Sequence, residues 1–378
     1  MAIRKILIVT NIPTPYRIPL FNEVYRQLKV RGIELKVLFG AEGYARRKFR
    51  FQAEQCQFPF AFLGSSSVAF GDSEKTMFSY GGIMKAIRAE KADRVVVSGF
   101  SLATMRLWWR SWWTRQEYII WSGAIAHPGR NDSFLRRLQR RLVVSRASGF
   151  LAYGTLAKDY LIGLGARPDR VGLAFNTVDT TFFSEETEGL RKSLTAGPPF
   201  HLTYVGYLSA RKNVVRVLEV VKKLKESRTD FVLDLVGDGD QREELENWAK
   251  NNGLETCVVF HGYKQKEDLP AILARSSVFL FQTDFDIWGL VLNEAMAAGL
   301  PVICSPHAGA APDLVVEGET GFIMDYADTI GVANRVSQLL DYPEQARQMG
   351  IRAADRIRQR FSLTDSARAY VETLLAEG

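Results

Sequence analysis

The chain has 378 residues, 47% of them hydrophobic and 24% charged, which is enough to bury two ordinary cores. Its net charge of +7 conceals a division, because residues 1–180 hold 28 Lys and Arg against 13 Asp and Glu (+15), and the remainder holds 21 against 29 (−8). No apolar run approaches the roughly 20 residues that a membrane-spanning helix needs, and Cys56, Cys257 and Cys304 lack the paired spacing of a disulfide framework or a zinc site.

The chain opens on MAIRKILIVTN, a strand-like run that passes straight into loop residues with no cleavage-site pattern, so a cytoplasmic location is expected. In IPTPYR, Pro13 and Pro15 hold an extended loop before a helix that begins near Ile18. A loop at the carboxyl end of a first strand is where Rossmann-like sheets meet ligands, which makes Thr14, Tyr16 and Arg17 candidate contacts. The alternative for Tyr16 and Arg17 is packing and solvation of the helix start. Onward, ILIVT, ELKVLF, RVVVS, YIIWS and FLAY form one series of short β-rich runs, and LTYVG, FVLDLVG, VVFHG, VFLFQ and VICS a second. Helix-length amphipathic segments separate them, the α/β pattern of parallel sheets flanked by helices.

Within the first series, MRLWWRSWWTR places Trp108, Trp109, Trp112 and Trp113 at helical spacing among Arg106, Arg110 and Arg115. FLRRLQRRLVV puts Arg136, Arg137, Arg140 and Arg141 on one helical face and Leu135, Leu138 and Leu142 on the other. Core-facing tryptophans with a solvated charged face are one reading; an anionic membrane surface is the other, favoured by the absence of acidic partners inside the arginine face. His127 follows the strand YIIWS in a loop, where it is either a catalytic imidazole or a hydrogen-bonded structural residue. The segment NTVDTTFFSEETEGLRKSLTAGPPF, ending in Gly197, Pro198 and Pro199, breaks both periodicities and reads as an interdomain connection.

In the second series, Gly237, Asp238, Gly239 and Asp240 stand between a strand and the helix QREELENWAKNN. They read as a tight turn with Asp240 capping that helix, and no metal is expected there. His201 and His261 lie beside strands and read as packing residues, whereas His307 stands in a Gly-rich loop with its role open. The run QTDFDIWGLVLNEAMAAG at 282–299 carries the most chemistry. Gly289 opens an apolar helix whose free N–H groups, near Leu290 and Val291, face an anion, and a diphosphate fits that end. Glu294 lies one to two turns inside, where a carboxylate accepts both hydroxyls of a ribose, and Asp286 stands just before the helix. An acidic loop and a Lys-paired helix glutamate are the plain alternative.

The same run resembles the signature of the family 4 retaining glycosyltransferases, E-x-W/F-G-L-V-x-x-E-A-M-A-x-G-x-P-V-I, and the match continues through Leu300, Pro301, Val302, Ile303, Gly309, Asp313, Leu314, Val315, Gly318, Thr320, Gly321 and Phe322. YVGYLSARKNV at 204–214 is similar to the family's G-R-L-x-x-x-K-G phosphate turn, with Gly206 and Lys212 at its glycine and lysine. Asn176, Thr177, Val178 and Asp179 resemble its N-G-V-D segment. The departures are Tyr207 for the family Arg, Asp286 for the usual Glu, no Gly-Gly pair in the first loop, and His127 later than the family's strand-end His. Arg211 stands where it can supply the second cation.

The resemblance implies the GT-B architecture of two facing Rossmann-like domains: an acceptor domain at 1–178, a linker at 179–199, a nucleotide-sugar domain at 200–360, and a terminal helix at 361–378 crossing back to the first domain. It implies transfer of a sugar, with anomeric configuration retained, from a nucleotide-sugar donor to a hydroxyl of a glycan or lipid-linked acceptor, in polysaccharide or lipopolysaccharide assembly. Gly206, Arg211, Lys212, Asp286, Gly289, Leu290, Val291 and Glu294 would hold the donor, Thr14, Tyr16 and Arg17 the acceptor, and Asp286, Lys212 and His127 would be catalytic. No cofactor and no metal are implied, and the basic first half makes a peripheral position on an anionic membrane an expectation. A nucleotide-sugar epimerase and a non-catalytic sugar-nucleotide-binding subunit are the alternatives. Nucleic acid is not an expected partner, since an RNA-binding aromatic motif is absent and the second half repels phosphate.

Overall fold

A computed structural model describes residues 3–43, 51–63, 65–69, 76–80, 82–114, 116–127, 133–194 and 197–376. They divide into two compact units, Met1–Val178 with Leu363–Gly378, and Asp179–Ser362.

In chain order the first unit has β1 (Lys5–Thr10), α1 (Arg17–Val30), β2 (Glu34–Phe39), β3 (Phe60–Phe62), β4 (Ser65–Ala69), β5 (Thr76–Tyr80), α2 (Ile83–Glu90), β6 (Arg94–Ser98), α3 (Leu102–Arg110), β7 (Glu117–Ser122), α4 (Phe134–Val144), β8 (Gly149–Ala152), α5 (Thr155–Gly163) and β9 (Val171–Leu173). Seven strands form a parallel sheet in the order β3-β2-β1-β6-β7-β8-β9, while β4 and β5 pair antiparallel apart from it. The central strands are near-continuous apolar runs because helices cover both faces of such a sheet, and Ile6, Leu7, Ile8, Val95 and Val96 are fully enclosed. Against them α1 turns Ile18, Phe21, Val24 and Leu28, spaced three and four apart as a helical stripe requires.

The second unit has α6 (Thr180–Arg191), β10 (Phe200–Val205), α7 (Val215–Lys225), β11 (Phe231–Val236), α8 (Arg242–Asn251), β12 (Val258–Gly262), α9 (Leu269–Arg275), β13 (Ser276–Phe281), α10 (Leu290–Ala297), β14 (Val302–Cys304), α11 (Ala311–Leu314), β15 (Gly321–Ile323), α12 (Thr329–Asp341) and α13 (Pro343–Arg360). Its six strands run parallel in the order β12-β11-β10-β13-β14-β15. The chain then returns to the first unit as α14 (Leu363–Leu375), which packs along α1 and beside β8 and β9. Buried Arg94 of β6 fastens its end, donating to the carbonyls of Leu374 (2.6 Å) and Ala376 (2.8 Å) while pairing with Glu117.

Three local expectations are corrected. Residues 179–199, expected as a connection, carry α6, whose N-cap Asp179 accepts the Phe182 N–H at 3.2 Å. Its buried face is Thr180, Phe183 and Thr187, so a helical stripe is present but two of its three members are polar, and hydrophobic periodicity cannot reveal it. Arg191 at its end donates to the carbonyls of Leu273, Ala274 and Ala298, building the segment into the second unit. Asp240 caps nothing: α8 begins two residues later behind Gln241, and Asp238 instead accepts the Gly239 N–H. The turn is tight for another reason, since Gly237 has φ +147° and a Cβ there would lie 1.8 Å from the Gly206 carbonyl. Finally, Trp109, Trp112 and Trp113 are exposed rather than core-facing, and Arg140 leaves the solvated arginine face to stack over Phe100 and bond Tyr160.

His201 and His261 do more than pack. Asp234, 1% exposed in β11, accepts from His201 Nδ1 (2.6 Å), His261 Nε2 (2.5 Å) and Arg275 (2.9 Å). Burial resists its ionisation, but the two histidine hydrogen bonds and the Arg275 charge prevail and hold the carboxyl below its usual range. A depressed folded-state value means the stabilisation is complete above the unfolded pKa of about 3.9 and is lost as pH falls through the lower folded value. Asp234→Ala is expected to cost about 2 kcal/mol, read as a lowered urea midpoint at pH 7. The gap to wild type should narrow below about pH 4; an equal midpoint at pH 7 would show the cluster to be ornamental.

Candidate active site

In an open parallel sheet the crevice for a ligand lies at the carboxyl ends of the strands where strand order reverses. In the second unit that place is between β10 and β13, and the loops after those two strands are stitched together there. Asn213 Nδ2 donates to both oxygens of Asp284 (3.2 and 3.0 Å), the Asp284 N–H donates to the Arg211 carbonyl (3.0 Å), and the Arg211 guanidinium donates to the Phe285 carbonyl. Asn213 accepts a left-handed φ of 45° to close this turn.

Within the stitched loops Lys212, 6% exposed, places Nζ 2.5 Å from Asp286 Oδ2 and 4.6 Å above the Phe281 ring. Arg211 Nη1 stands 3.9 Å from the same oxygen. The other oxygen of Asp286 accepts the Trp288 N–H at 3.2 Å, so this carboxylate ties the lysine turn to the approach of α10. Burial opposes ionisation of Asp286; the Lys212 and Arg211 charges overcome it and set its carboxyl below the usual range. The backbone of Asp286 is equally constrained, donating to the His307 carbonyl (3.1 Å) and accepting from Gly309 (2.9 Å). His307 thereby gains a role through its backbone.

Gly289 caps α10 with φ +98°, and a Cβ there would lie 2.8 Å from the Phe281 ring, so only glycine fits both the turn and the packing. Leu290 and Val291 follow as the first helical residues, half-buried, with N–H groups that the helix itself cannot satisfy. Glu294, one turn further, is also half-buried. Burial pushes its carboxyl up to about 8, with only partial relief from the Lys266 charge. Behind it, Asn293 accepts the Trp288 indole N–H at 2.9 Å and fixes the loop against the helix.

The structure thus brings Gly206, Arg211, Lys212, Asp286, Gly289, Leu290, Val291 and Glu294 to one end of one sheet. Thr14, Tyr16 and Arg17 lie in the first unit at the carboxyl end of β1, and half-buried His127 follows β7 as the last residue described before 133. Sequence reasoning missed Phe281 as the ring beneath Lys212, Asn213 and Asp284 as the loop clasp, and Lys266 as the cation facing Glu294. Of these, only the Asn, with its tolerance of left-handed backbone, left a local signal.

Because folding favours the neutral form of Glu294, stability should fall as pH rises from the ordinary 4.5 toward 8. Glu294→Gln removes that penalty. The variant should melt several degrees above wild type at pH 8.5 and level with it at pH 4.5. A gain of the same size at both pH values would contradict the raised carboxyl.

Residues 186–356 match the family model for glycosyl transferases group 1. N-acetyl-alpha-D-glucosaminyl L-malate synthase of Bacillus anthracis is 34% identical over 157 residues, 41% of this chain and 40% of that protein. D-inositol 3-phosphate glycosyltransferase of Corynebacterium kroppenstedtii is 27% identical over 66% of this chain and 58% of that protein. The chain therefore spans about 40% to 58% of the length of these curated relatives. Among solved structures, Anabaena Alr3699/HepE in complex with UDP superposes with a TM-score of 0.77 at 20% identity, covering 98% of this chain and 99% of that one. The two Rossmann-like units thus have the GT-B fold, and over residues 186–356, most of the second unit, the chain is similar to the glycosyl transferases group 1 family.

Proposed function

We propose that the protein is a retaining, metal-independent glycosyltransferase that moves a sugar from a nucleotide-sugar donor to a hydroxyl of a glycan or lipid-linked acceptor in surface-polysaccharide or lipopolysaccharide assembly. The observation that carries this reading is the convergence of Lys212, the N-terminus of α10 and Glu294 at the β10/β13 crevice. The diphosphate lies against the Leu290 and Val291 N–H groups, with Lys212 and Arg211 supplying the positive charge that a metal supplies elsewhere. The ribose hydroxyls reach Glu294, and Asp286 positions the sugar. As the glycosidic bond breaks, negative charge grows on the leaving phosphate, and preorganised donors stabilise it more than the ground state. That phosphate takes the acceptor hydroxyl proton, so no protein nucleophile is required. His127, which follows β7, is the third residue assigned a catalytic role in this scheme.

Calorimetric titration of UDP, GDP and ADP with chelator present tests the donor site. One nucleotide should bind wild type, and Glu294→Ala should weaken it by tenfold or more, about 1.5–3 kcal/mol. Failure of all three to bind ends the reading, and a requirement for added metal ends its metal-independent part. With donor and acceptor in hand, the anomeric coupling constant of the product in proton NMR tests retention.

The same reading places the first unit on an anionic membrane. Trp109, Trp112 and Trp113 on and after α3, and Phe134 and Leu135 on α4, are exposed beside exposed Arg136, Arg137 and Arg141. A cavity of about 690 Å³, lined by Leu102, Met105, Trp108, Trp109 and Trp113, opens at α3 with room for an acyl chain. Apolar rings with a basic rim suit a headgroup boundary, while among the described residues no helix is long and apolar enough to cross a membrane. Binding to phosphatidylglycerol vesicles should fall with salt and drop at least tenfold when Arg136, Arg137 and Arg141 become Glu. Unchanged co-sedimentation would remove the membrane from the proposal.

A further inference from the structure

Arg17 is a cation at a sheet end of the first unit whose partners are hydroxyls and rings. It begins α1, and its side chain folds back across the carboxyl edge of the sheet. Nη1 donates to Thr10 Oγ1 at the end of β1 (2.9 Å), and Nη2 donates to the hydroxyl of Tyr153, just past β8 (2.9 Å). The guanidinium carbon stands 4.5 Å over the ring of Trp121 in β7 and 5.7 Å from the Tyr16 ring. Trp121 in turn packs against Tyr153 and Tyr370. Every partner is a hydroxyl or a ring; no carboxylate and no carbonyl faces this cation among the described residues.

Arg17 is half-buried, and other buried or half-buried arginines of the chain are treated differently. Arg94 meets Glu117 and two carbonyls, Arg191 meets three carbonyls, and Arg356 meets the carbonyls of Asp313 and Leu314. A guanidinium cannot shed its charge by deprotonation, so desolvating it without a negative partner is unfavourable unless something supplies one. Two further features have the same sign. The N-terminus of the 14-residue α1 carries positive partial charge with no acidic residue in its first turn and no side-chain cap. Arg17 Nε, Trp121 Nε1 and Thr14 Oγ1 are also buried without a partner, with Trp121 1% and Thr14 3% exposed.

We propose that this Arg17 site binds an oxyanion, a carboxylate or a phosphate monoester, and that the acceptor of the transfer reaction is therefore acidic. The anion site stands on the first unit alone; only its assignment to an acceptor rests on the glycosyltransferase reading. A planar guanidinium with unused N–H groups suits either oxyanion in a forked contact, which a neutral sugar hydroxyl does not reproduce.

The test uses glycerol 3-phosphate and D-glucuronate, each against its neutral counterpart, glycerol and D-glucose, with the indole N–H resonance of Trp121 as reporter in the full-length protein. At least one charged probe should shift that resonance and bind about tenfold or more tightly than its counterpart. Whichever of the two binds identifies the oxyanion. Arg17→Gln should abolish the preference, and Arg17→Lys should keep part of it, with melting temperatures reporting that both variants are folded. Equal binding of charged and neutral probes, no binding by either charged probe, or a preference that survives in Arg17→Gln overturns the inference. UDP titrated into the same wild-type sample separates the two readings: anion binding without UDP binding leaves this site standing and the donor site not, and the reverse result does the opposite.

Discussion

Lys212 and Asp286 stand 74 residues apart in sequence and 2.5 Å apart in space, and the candidate site of the second unit is organised around that contact. A pair this enclosed gains little net stability, because removing both ions from water cancels much of their attraction. What the pair does secure is position. Asp286 holds the ammonium with one oxygen and the Trp288 N–H with the other, so the turn after β10 and the start of α10 move as one body. Losing either partner would strand a charge in a site that water reaches poorly, and the loops would be held by the clasp of Asn213 on Asp284 and by the Arg211 contacts to Asp284 and Phe285.

Two carboxyls in this site are pushed in opposite directions by their surroundings. Asp286 faces two cations and stays ionised, whereas Glu294, eight residues later, is desolvated by burial with only the Lys266 charge in partial relief and is raised to about 8. Asp234, deep in the same sheet, has three donors and no such imbalance. Arg17 in the first unit resembles Glu294 in being incompletely answered by the protein. Asp234 is thus fully answered within the sheet, whereas Glu294 and Arg17 lie at the carboxyl ends of strands, where a ligand can complete them.

Much of this was legible in the sequence. Parallel strands buried on both faces demand unbroken apolar runs, so ten of the principal strands announce themselves, and the three-residue strands β3, β9 and β15 do not. The start of α10 was readable because Gly289 followed by an apolar helix has few alternatives. The helix α6 was not, since its buried face carries Thr180 and Thr187 and looks polar to any periodicity argument. The capping role expected of Asp240 failed because the Gly206 backbone, distant in sequence, dictates the turn at Gly237. The exposure of Trp109, Trp112 and Trp113 was undecidable in advance, as helical spacing specifies a face without saying what covers it.

By itself the sequence determined the alternation of strands and helices, the opposite charges of the two halves, and the residue types at 206–212 and 286–294, because these follow from local periodicity, turn chemistry and spacing along one chain. Only the tertiary structure decided that Lys212 is neutralised by Asp286, that Glu294 is held in a desolvated crevice, and that Arg17 reaches Thr10, Trp121 and Tyr153 without meeting an acid among the described residues. Charge and solvation at a site depend on which groups from distant strands arrive within a few ångströms of one another. That proximity is a property of the assembled sheet, and no local pattern encodes it.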